Sequence, residues 1–372
     1  MNASRHRRKI ERLLDGTDVH INGSRPWDIN VKDERFFRRV LTQGSLGLGD
    51  SYMDGWWECD EIDEMLSRVI SSGLERKIIA RVLAFDVVEA ALVNLQSRSR
   101  AWIVGKRHYD IGNDLYLRML DKRLVYSCGY WKEARTLDEA QEAKLDLVAR
   151  KLGLKPGMRV LDIGCGWGGA ARFMAERYGC EIVGITVSES QADYARELCD
   201  GLPVEIRLQD YRQLDEKFDR IYSIGMFEHV GYKNYATYMR IVRRNLSDDG
   251  LFLLHTIGNN RSVKTTDPWI NRHIFPNGML PSIRQIGAAT EDLFVMEDWH
   301  NFGAHYDTTL MRWCDNFRAA WPEIAEQYNE RFYRMWQYYL LSSAAGFRTR
   351  GIQLWQIVFS PQGLPAGYET VR

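Results

Sequence analysis

Arg159-Val160-Leu161-Asp162-Ile163-Gly164-Cys165-Gly166-Trp167-Gly168-Gly169 decides the fold, because an apolar strand runs directly into a glycine-spaced turn that opens a helix. Glycines at 164, 166 and 168 let the backbone take left-handed angles and come close to a ligand. The helix that follows offers unpaired N–H groups at its start. Together these features predict a cradle for a nucleotide-type cofactor.

Three cofactor classes use such turns, and the flanking residues separate them. A triphosphate loop needs Gly-Lys-Ser/Thr after four spacers, and no lysine lies between Arg159 and Arg172. A dinucleotide site places a carboxylate at the end of the second strand, about 20 residues on. Here Glu181-Ile182-Val183-Gly184-Ile185-Thr186 ends in a hydroxyl. The acid instead precedes the glycines at Asp162, where it suits a ligand with a cationic amine near the turn. The spacing Asp-x-Gly-x-Gly-x-Gly resembles the S-adenosylmethionine (SAM) motif of class I methyltransferases.

Around this turn, strand patterns at 159–163, 181–186, 204–209, 218–224 and 251–257, with a pair near 293–299 and 353–360, alternate with helical patterns at 167–178, 188–199 and 232–245. Ser188 with Gln191 three residues on predicts a capping box, and Asp248-Asp249-Gly250 a turn into the fifth strand. The alternation predicts an α/β fold of class I SAM-methyltransferase type. Its core is a doubly wound, mostly parallel sheet with ligands at the carboxyl ends of the strands. Helical patterns at 308–320 and 322–345 exceed the bare fold and are expected to cover the substrate. The aromatic run Arg331 to Leu341 fits core packing, or the lining of an acyl tunnel.

At 372 residues the chain is long enough for a principal domain and a smaller one. The division expected is a small, mainly helical or mixed N-terminal domain over 1–95, a linker at 96–104 that includes Gln96-Ser97-Arg98-Ser99-Arg100, and a catalytic domain over 105–372. Trp56 and Trp57 suit either a core or an interface. Fifty basic and fifty acidic side chains cancel, which argues against a nucleic-acid partner. At the N-terminus Arg5, Arg7, Arg8, Lys9 and Arg12 face only Glu11, as a solvated helix start would, or as an electrostatic foothold on an anionic bilayer. The wide apolar face at 78–95 is expected to be buried in its own domain or to lie on lipid.

The cysteines, Cys59, Cys128, Cys165, Cys180, Cys199 and Cys314, lack paired spacing and read as reduced thiols of a cytoplasmic protein, with no metal site. The first apolar run, Ile10 to Leu14, is too short and charged for a signal peptide, and no stretch is apolar enough to span a bilayer. Contact with lipid is therefore expected to be peripheral.

Catalytic groups should sit where later strands end. Ser223-Ile224-Gly225-Met226-Phe227-Glu228-His229-Val230-Gly231 follows the fourth strand and His255-Thr256-Ile257-Gly258 closes the fifth, so a carboxylate and an imidazole adjoin. Val125 to Trp131 and Asn301 to Asp307 stand out before and after the sheet.

At this point the chain resembles the cyclopropane-fatty-acyl-phospholipid synthases and their mycolic-acid cyclopropane relatives over nearly its whole length. The motifs are Tyr-Ser-Cys-Gly-Tyr-Trp (126–131), Asp-Ile-Gly-Cys-Gly-Trp-Gly-Gly (162–169), Gly-Ile-Thr-Val-Ser-Glu-Ser-Gln (184–191), Phe-Glu-His-Val-Gly (227–231), His-Thr-Ile-Gly (255–258) and Asn-Phe-Gly-Ala-x-Tyr-Asp (301–307). The resemblance implies transfer of a one-carbon unit from SAM to the cis double bond of an unsaturated acyl chain in a membrane phospholipid. It implies a central bicarbonate ion held by Cys128, Glu228, His255 and Tyr306, with Cys128 contributing its backbone N–H rather than its thiol. SAM would be surrounded by Tyr126, Ser127, Asp162, Gly164, Cys165, Gly166, the segment Thr186, Ser188 and Gln191, and Tyr211 with Arg212. Thr186 and Gln191 would take the ribose contacts that a carboxylate makes in most methyltransferases. Asp210-Tyr211-Arg212 departs from the Trp-Glu of the mycolic branch. A homodimer associated peripherally with the inner face of the cytoplasmic membrane is also implied. Other readings remain open: a methyl-branched or otherwise quenched acyl product, a headgroup or small-molecule methyltransferase, or a SAM-binding protein without turnover.

Overall fold

The computed structural model describes residues 2–74 and 112–372. The candidate linker at 96–104 and the apolar face at 78–95 lie outside the described residues. In chain order the helices are α1 (Asn2–Leu14), α2 (Arg35–Met53), α3 (Ile62–Ser71), α4 (Asn113–Met119), α5 (Leu137–Lys151), α6 (Gly169–Tyr178), α7 (Glu189–Leu198), α8 (Tyr235–Asn245), α9 (Pro268–His273), α10 (Ile283–Thr290), α11 (Ala304–Ile324) and α12 (Glu330–Arg348). The strands are β1 (Asn30–Val31), β2 (Trp57–Glu58), β3 (Arg159–Ile163), β4 (Glu181–Thr186), β5 (Val204–Leu208), β6 (Phe218–Ile224), β7 (Leu246–Asn259), β8 (Val295–Asn301) and β9 (Ile352–Ser360).

Two compact units share these elements, and neither is contiguous in sequence. The smaller takes its described residues from 2–74, 264–276 and 310–352, the larger from 112–263, 277–309 and 353–372. A linear division into 1–95 and 105–372 therefore does not describe the packing. The reason is visible in the smaller unit, where α12 packs on α2 and α3. Its Tyr338 ring lies 5.7 Å from Tyr52, 6.4 Å from Trp57 and 4.7 Å from Trp269. Core packing thus accounts for Tyr338 in the aromatic run. Trp57 is buried, while Trp56 is half-exposed between the guanidinium groups of Arg35 and Arg39.

In the larger unit seven strands form one sheet in the order β5-β4-β3-β6-β7-β9-β8. The pairs β5-β4, β4-β3, β3-β6 and β6-β7 are parallel, and β8 pairs antiparallel with β9. This is the doubly wound, mostly parallel sheet expected from the alternation. β3 is buried along Val160 to Ile163, as a central strand covered on both faces must be.

Three local features differ from the sequence expectation. β7 begins at Leu246, so Asp248-Asp249-Gly250 is no turn before the strand; it falls where the β6-β7 register is irregular, between Phe218↔Leu246 and Arg220↔Leu251. α11 continues through Pro322 to Ile324, although proline there lacks the N–H that would reach the Arg318 carbonyl. Ser188 caps α7 by accepting from the Gln191 N–H at 3.4 Å, but the capping box is not reciprocal: the Gln191 side chain accepts from the Thr186 hydroxyl instead. Four helices, α4, α5, α9 and α10, carry no sequence expectation. α5 starts at a complete capping box of Thr136 and Glu139, yet its buried positions include Gln141, Lys144 and Lys151, which interrupt the apolar period.

Gly169, the first residue of α6, is pressed against the chain before the sheet: a Cβ there would fall 1.7 Å from the Arg123 carbonyl oxygen. Gly169→Ala is expected to lower the unfolding free energy by about 1–3 kcal/mol, as overpacking does. Urea denaturation followed by tryptophan fluorescence measures it, and an unchanged midpoint would show that this contact does not exist.

Candidate active site

The carboxyl ends of β3, β4, β6 and β7 form one edge of the sheet, and the candidate residues gather there. Asp162 lies opposite Gly184 of β4 and Tyr222 of β6. Burial raises its carboxyl to about 7, and its Oδ2 has no hydrogen-bond partner; the nearby Tyr222 hydroxyl opposes the rise without hydrogen-bond geometry of the ordinary kind. Gly164, Gly166 and Gly168 take φ of +88°, +56° and +85°, so the turn has the left-handed backbone its spacing called for. The N–H groups of Gly164 and Cys165 donate to the Ile185 carbonyl at 2.9 and 3.0 Å. A Cβ on Gly166 would meet nothing within 4 Å, which leaves its backbone open to a ligand. Cys165 is buried, and burial pushes its thiol well above the ordinary range.

At the end of β4 the Thr186 hydroxyl donates to Gln191 Oε1 at 3.1 Å and accepts from the Ser188 N–H at 3.2 Å. Thr186, Ser188 and Gln191 are therefore one buried cluster. Tyr211 and Arg212 lie just beyond β5. Arg212 pairs with Asp210 at 2.8 Å and covers the Tyr211 ring at 4.7 Å, while that ring stands edge-on to Tyr238 at 5.2 Å. Tyr211 is part of the hydrophobic core beneath β6 and α8, and its hydroxyl is buried without a partner.

The segment from Val125 to Trp131 runs past the end of β6: a Cβ on Gly225 would lie 3.9 Å from both Ser127 Cβ and the Tyr126 carbonyl oxygen. Tyr126 packs edge-on against Tyr116, which in turn sits 4.8 Å from the Trp167 ring. Gly129 N–H donates to Thr309 Oγ1 at 3.0 Å, and Trp131 N–H to His305 Nδ1 at 3.0 Å. These bonds tie Cys128 and its neighbours to the first turns of α11, where Tyr306 is buried. The Cys128 thiol donates to the Gly129 carbonyl at 3.2 Å, and burial drives its pKa far up. Such a thiol stays protonated and is no nucleophile.

Glu228 sits in a single 3-10 turn, Phe227–His229, and His255 lies in β7 opposite Ile224. Glu228 Oε1 accepts from the Ile257 N–H at 2.7 Å, while Oε2 is buried with no partner. Burial raises this carboxyl to about 7. The His255 imidazole is held well below its usual range, first by burial and then by the charges of Lys144 and Lys151, so it is neutral. Gln356 Nε2 faces His255 Nδ1 at 3.3 Å. An amide nitrogen can only donate, so Nδ1 accepts and the ring proton resides on Nε2, which is buried and unpartnered. The Phe302 ring, 6.0 Å from His255 and 5.2 Å from Tyr130, bridges this pair to the 125–131 segment. Glu228 Oε2, in the turn after β6, and His255 Nε2, in β7 opposite the last residue of β6, are thus two buried polar atoms without partners.

The model of the family described as mycolic acid cyclopropane synthetase matches residues 96–357. The cyclopropane-fatty-acyl-phospholipid synthase of Escherichia coli (strain K12) is 58% identical over 361 residues, which is 97% of this chain and 94% of that protein. The chain belongs to the mycolic acid cyclopropane synthetase family. A solved cyclopropane synthase from Mycobacterium tuberculosis superposes with a TM-score of 0.66 at 32% identity, over 69% of this chain and 97% of its own. A mycolic acid cyclopropane synthase solved with SAH and CTAB gives 0.65 at 33% identity, over 69% and 97%. The sheet of this family member is accordingly the class I SAM-methyltransferase fold.

Several residues that build the edge carry no motif. Gln141 Nε2 donates to the carbonyls of Val125 and Ser127 at 3.2 and 2.7 Å, and Lys144 Nζ to Ser127 Oγ at 2.8 Å. Gln356, between Trp355 and Ile357 of β9, and Thr309 complete the set. A polar residue inside an apolar run was the available signal for Gln356.

The buried carboxyl of Glu228 has a consequence for stability. The folded chain holds its proton up to about pH 7, whereas an unfolded chain releases it near the ordinary 4.5. Stability from this group therefore falls as pH rises through that window. The urea midpoint of Glu228→Gln is expected to decline less than that of the unsubstituted protein over the same interval. Parallel curves would mean that this carboxyl titrates normally.

Proposed function

We propose that this chain joins the methyl carbon of SAM to the cis double bond of an unsaturated acyl chain in a membrane phospholipid and closes a cyclopropane ring. The observation that carries the reading is the pair of open, buried polar atoms, Glu228 Oε2 and His255 Nε2, at the sheet edge of a chain in this family. The name of the Escherichia coli relative supports the substrate class.

A cis alkene is a poor nucleophile, so it must be pressed against the sulfonium methyl in a dry, pre-aligned site. The new carbon–carbon bond forms as the methyl–sulfur bond breaks, leaving S-adenosylhomocysteine and a cation on the acyl chain. Ring closure then needs loss of one proton from the transferred methyl. The open atoms fit a bicarbonate ion, which has a hydroxyl to donate to Glu228 Oε2 and oxygens to accept from His255 Nε2–H. Bound there, bicarbonate would supply a small base and a negative charge beside the developing cation. Glu228, with its carboxyl near 7, is able to hold a proton at Oε2 and return it to solvent as pH requires. His255, neutral and fixed by Gln356, orients its Nε2–H, with Tyr306 as a further donor and Cys128 acting through its backbone N–H.

The substrate's location belongs to the same proposal. Among the described residues no helix is long and apolar enough to cross a membrane. α1 buries Ile10 and Leu14 and exposes Arg5, Arg8, Lys9 and Arg12, a face suited to the anionic inner surface of the cytoplasmic membrane. In this reading the working enzyme is a peripheral homodimer.

Incubation with SAM and a monounsaturated phospholipid is expected to add one CH2 to the lipid and remove its alkene signal. Ring protons should then appear far upfield by NMR. A methyl-branched product, or unchanged lipid, would sink the proposal. Glu228→Gln should lower turnover about 100-fold or more while SAM binding, measured by calorimetry, is retained. Replacing Arg5, Arg8, Lys9 and Arg12 together by Gln should abolish sedimentation with anionic vesicles and leave SAM binding intact; undiminished sedimentation would remove α1 from the membrane contact.

A further inference from the structure

Lys144 has no part in the chemistry above, yet its side chain is fully buried. An ammonium taken out of water is costly to leave without a partner. Among the described residues no carboxylate lies within ion-pair distance of Nζ, which instead donates to Ser127 Oγ at 2.8 Å. Its charged and titratable neighbours are Asp121 before the 125–131 segment, the Cys128 thiol, Asp162 on β3 and His255 on β7. Asp121 is already engaged by the N–H groups of Arg123 and Val125, both at 2.9 Å. Asp162, by contrast, has an oxygen with no partner. One turn earlier on α5, Gln141 holds the carbonyls of Val125 and Ser127, so the Ser127 turn is fixed from beneath by two side chains of one helix face.

When an ammonium donates to a hydroxyl oxygen, the hydroxyl proton is left for a second acceptor and is polarised toward it. Ser127 then becomes a charge-assisted donor, held by a lysine whose charge is also felt by Asp162, the acid with an open oxygen. An α-amino acid carries its ammonium and carboxylate one carbon apart, and the pair Asp162 and Lys144-Ser127 offers the complementary charges. We propose that Lys144 is a positioning residue for the cofactor: through Ser127 it anchors the carboxylate at the amino-acid end of SAM, with Asp162 facing the ammonium. This rests on the reading of the edge as a SAM site. Burial lowers Lys144 to about 8, so the protonated form that favours the carboxylate is the one present at neutral pH.

Calorimetry on the full chain, in bicarbonate-depleted buffer, tests this with two probes. S-adenosylhomocysteine keeps the amino-acid end, and 5′-methylthioadenosine lacks it. Lys144→Met is expected to weaken S-adenosylhomocysteine about tenfold or more, the range of a hydrogen bond to a charged group, and to change 5′-methylthioadenosine less than about twofold. Ser127→Ala should give the same selective loss and decides the matter if Lys144→Met does not fold. The double variant should lose no more than either alone. Raising the pH from about 7 to 9.5 should weaken S-adenosylhomocysteine more for the unsubstituted chain than for Lys144→Met. Equal weakening of both probes would mark Lys144 as merely structural and overturn the proposal, as would unchanged S-adenosylhomocysteine affinity. An unsubstituted chain that binds neither probe overturns the SAM reading, and this proposal with it.

Discussion

Exclusion of water from the carboxyl edge of the sheet is the constraint on which the rest of the larger unit depends. Asp162, Glu228, His255 and Lys144 are all buried there. Burial moves each toward its neutral form, the two acids up to about 7 and the lysine down to about 8. The two acids and the lysine, which would lie several units apart in water, are drawn together near neutrality, while His255 is held neutral. In the proposed reaction the same dryness would protect a carbocation from capture by water.

Backbone necessity made the cradle legible in the sequence. Gly164, Gly166 and Gly168 hold angles that other residues adopt only with strain, and Glu228 and His255 follow from where β6 stops, His255 lying in β7 opposite its last residue, Ile224. What stayed hidden was whatever broke the periodic pattern. The helix that braces the site, α5, has Gln141 and Lys144 on its buried side, so its sequence does not look amphipathic. Gln356 acts on His255 from a strand about a hundred residues away, a contact that only the sheet order β7-β9 creates. The non-reciprocal cap at Ser188 belongs to the same class: Gln191 has the right spacing for a capping box, but the buried Thr186 hydroxyl claims its side chain. Local pattern was overridden wherever a buried polar group needed a partner.

Division of the chain was hidden for a related reason. Linear reading looks for a boundary, whereas the smaller unit closes by bringing α12 against α2 and α3, with ion pairs of Arg348 to Asp63 at 2.8 Å and Arg334 to Glu58 at 3.0 Å. No composition shift announces such a return.

That return also sets an order on synthesis. α3 emerges from the ribosome long before α12, its partner, and β8 cannot join the sheet until β9 arrives to lie between it and β7. At about 5–20 residues per second the wait for α12 is on the order of tens of seconds, during which the apolar faces of α2 and α3 lack their final cover. The smaller unit is completed by α12 and the larger by β9, which follows it directly. A nascent molecule of this kind is at risk of aggregation for most of its synthesis, and a message truncated before α12 leaves neither unit whole.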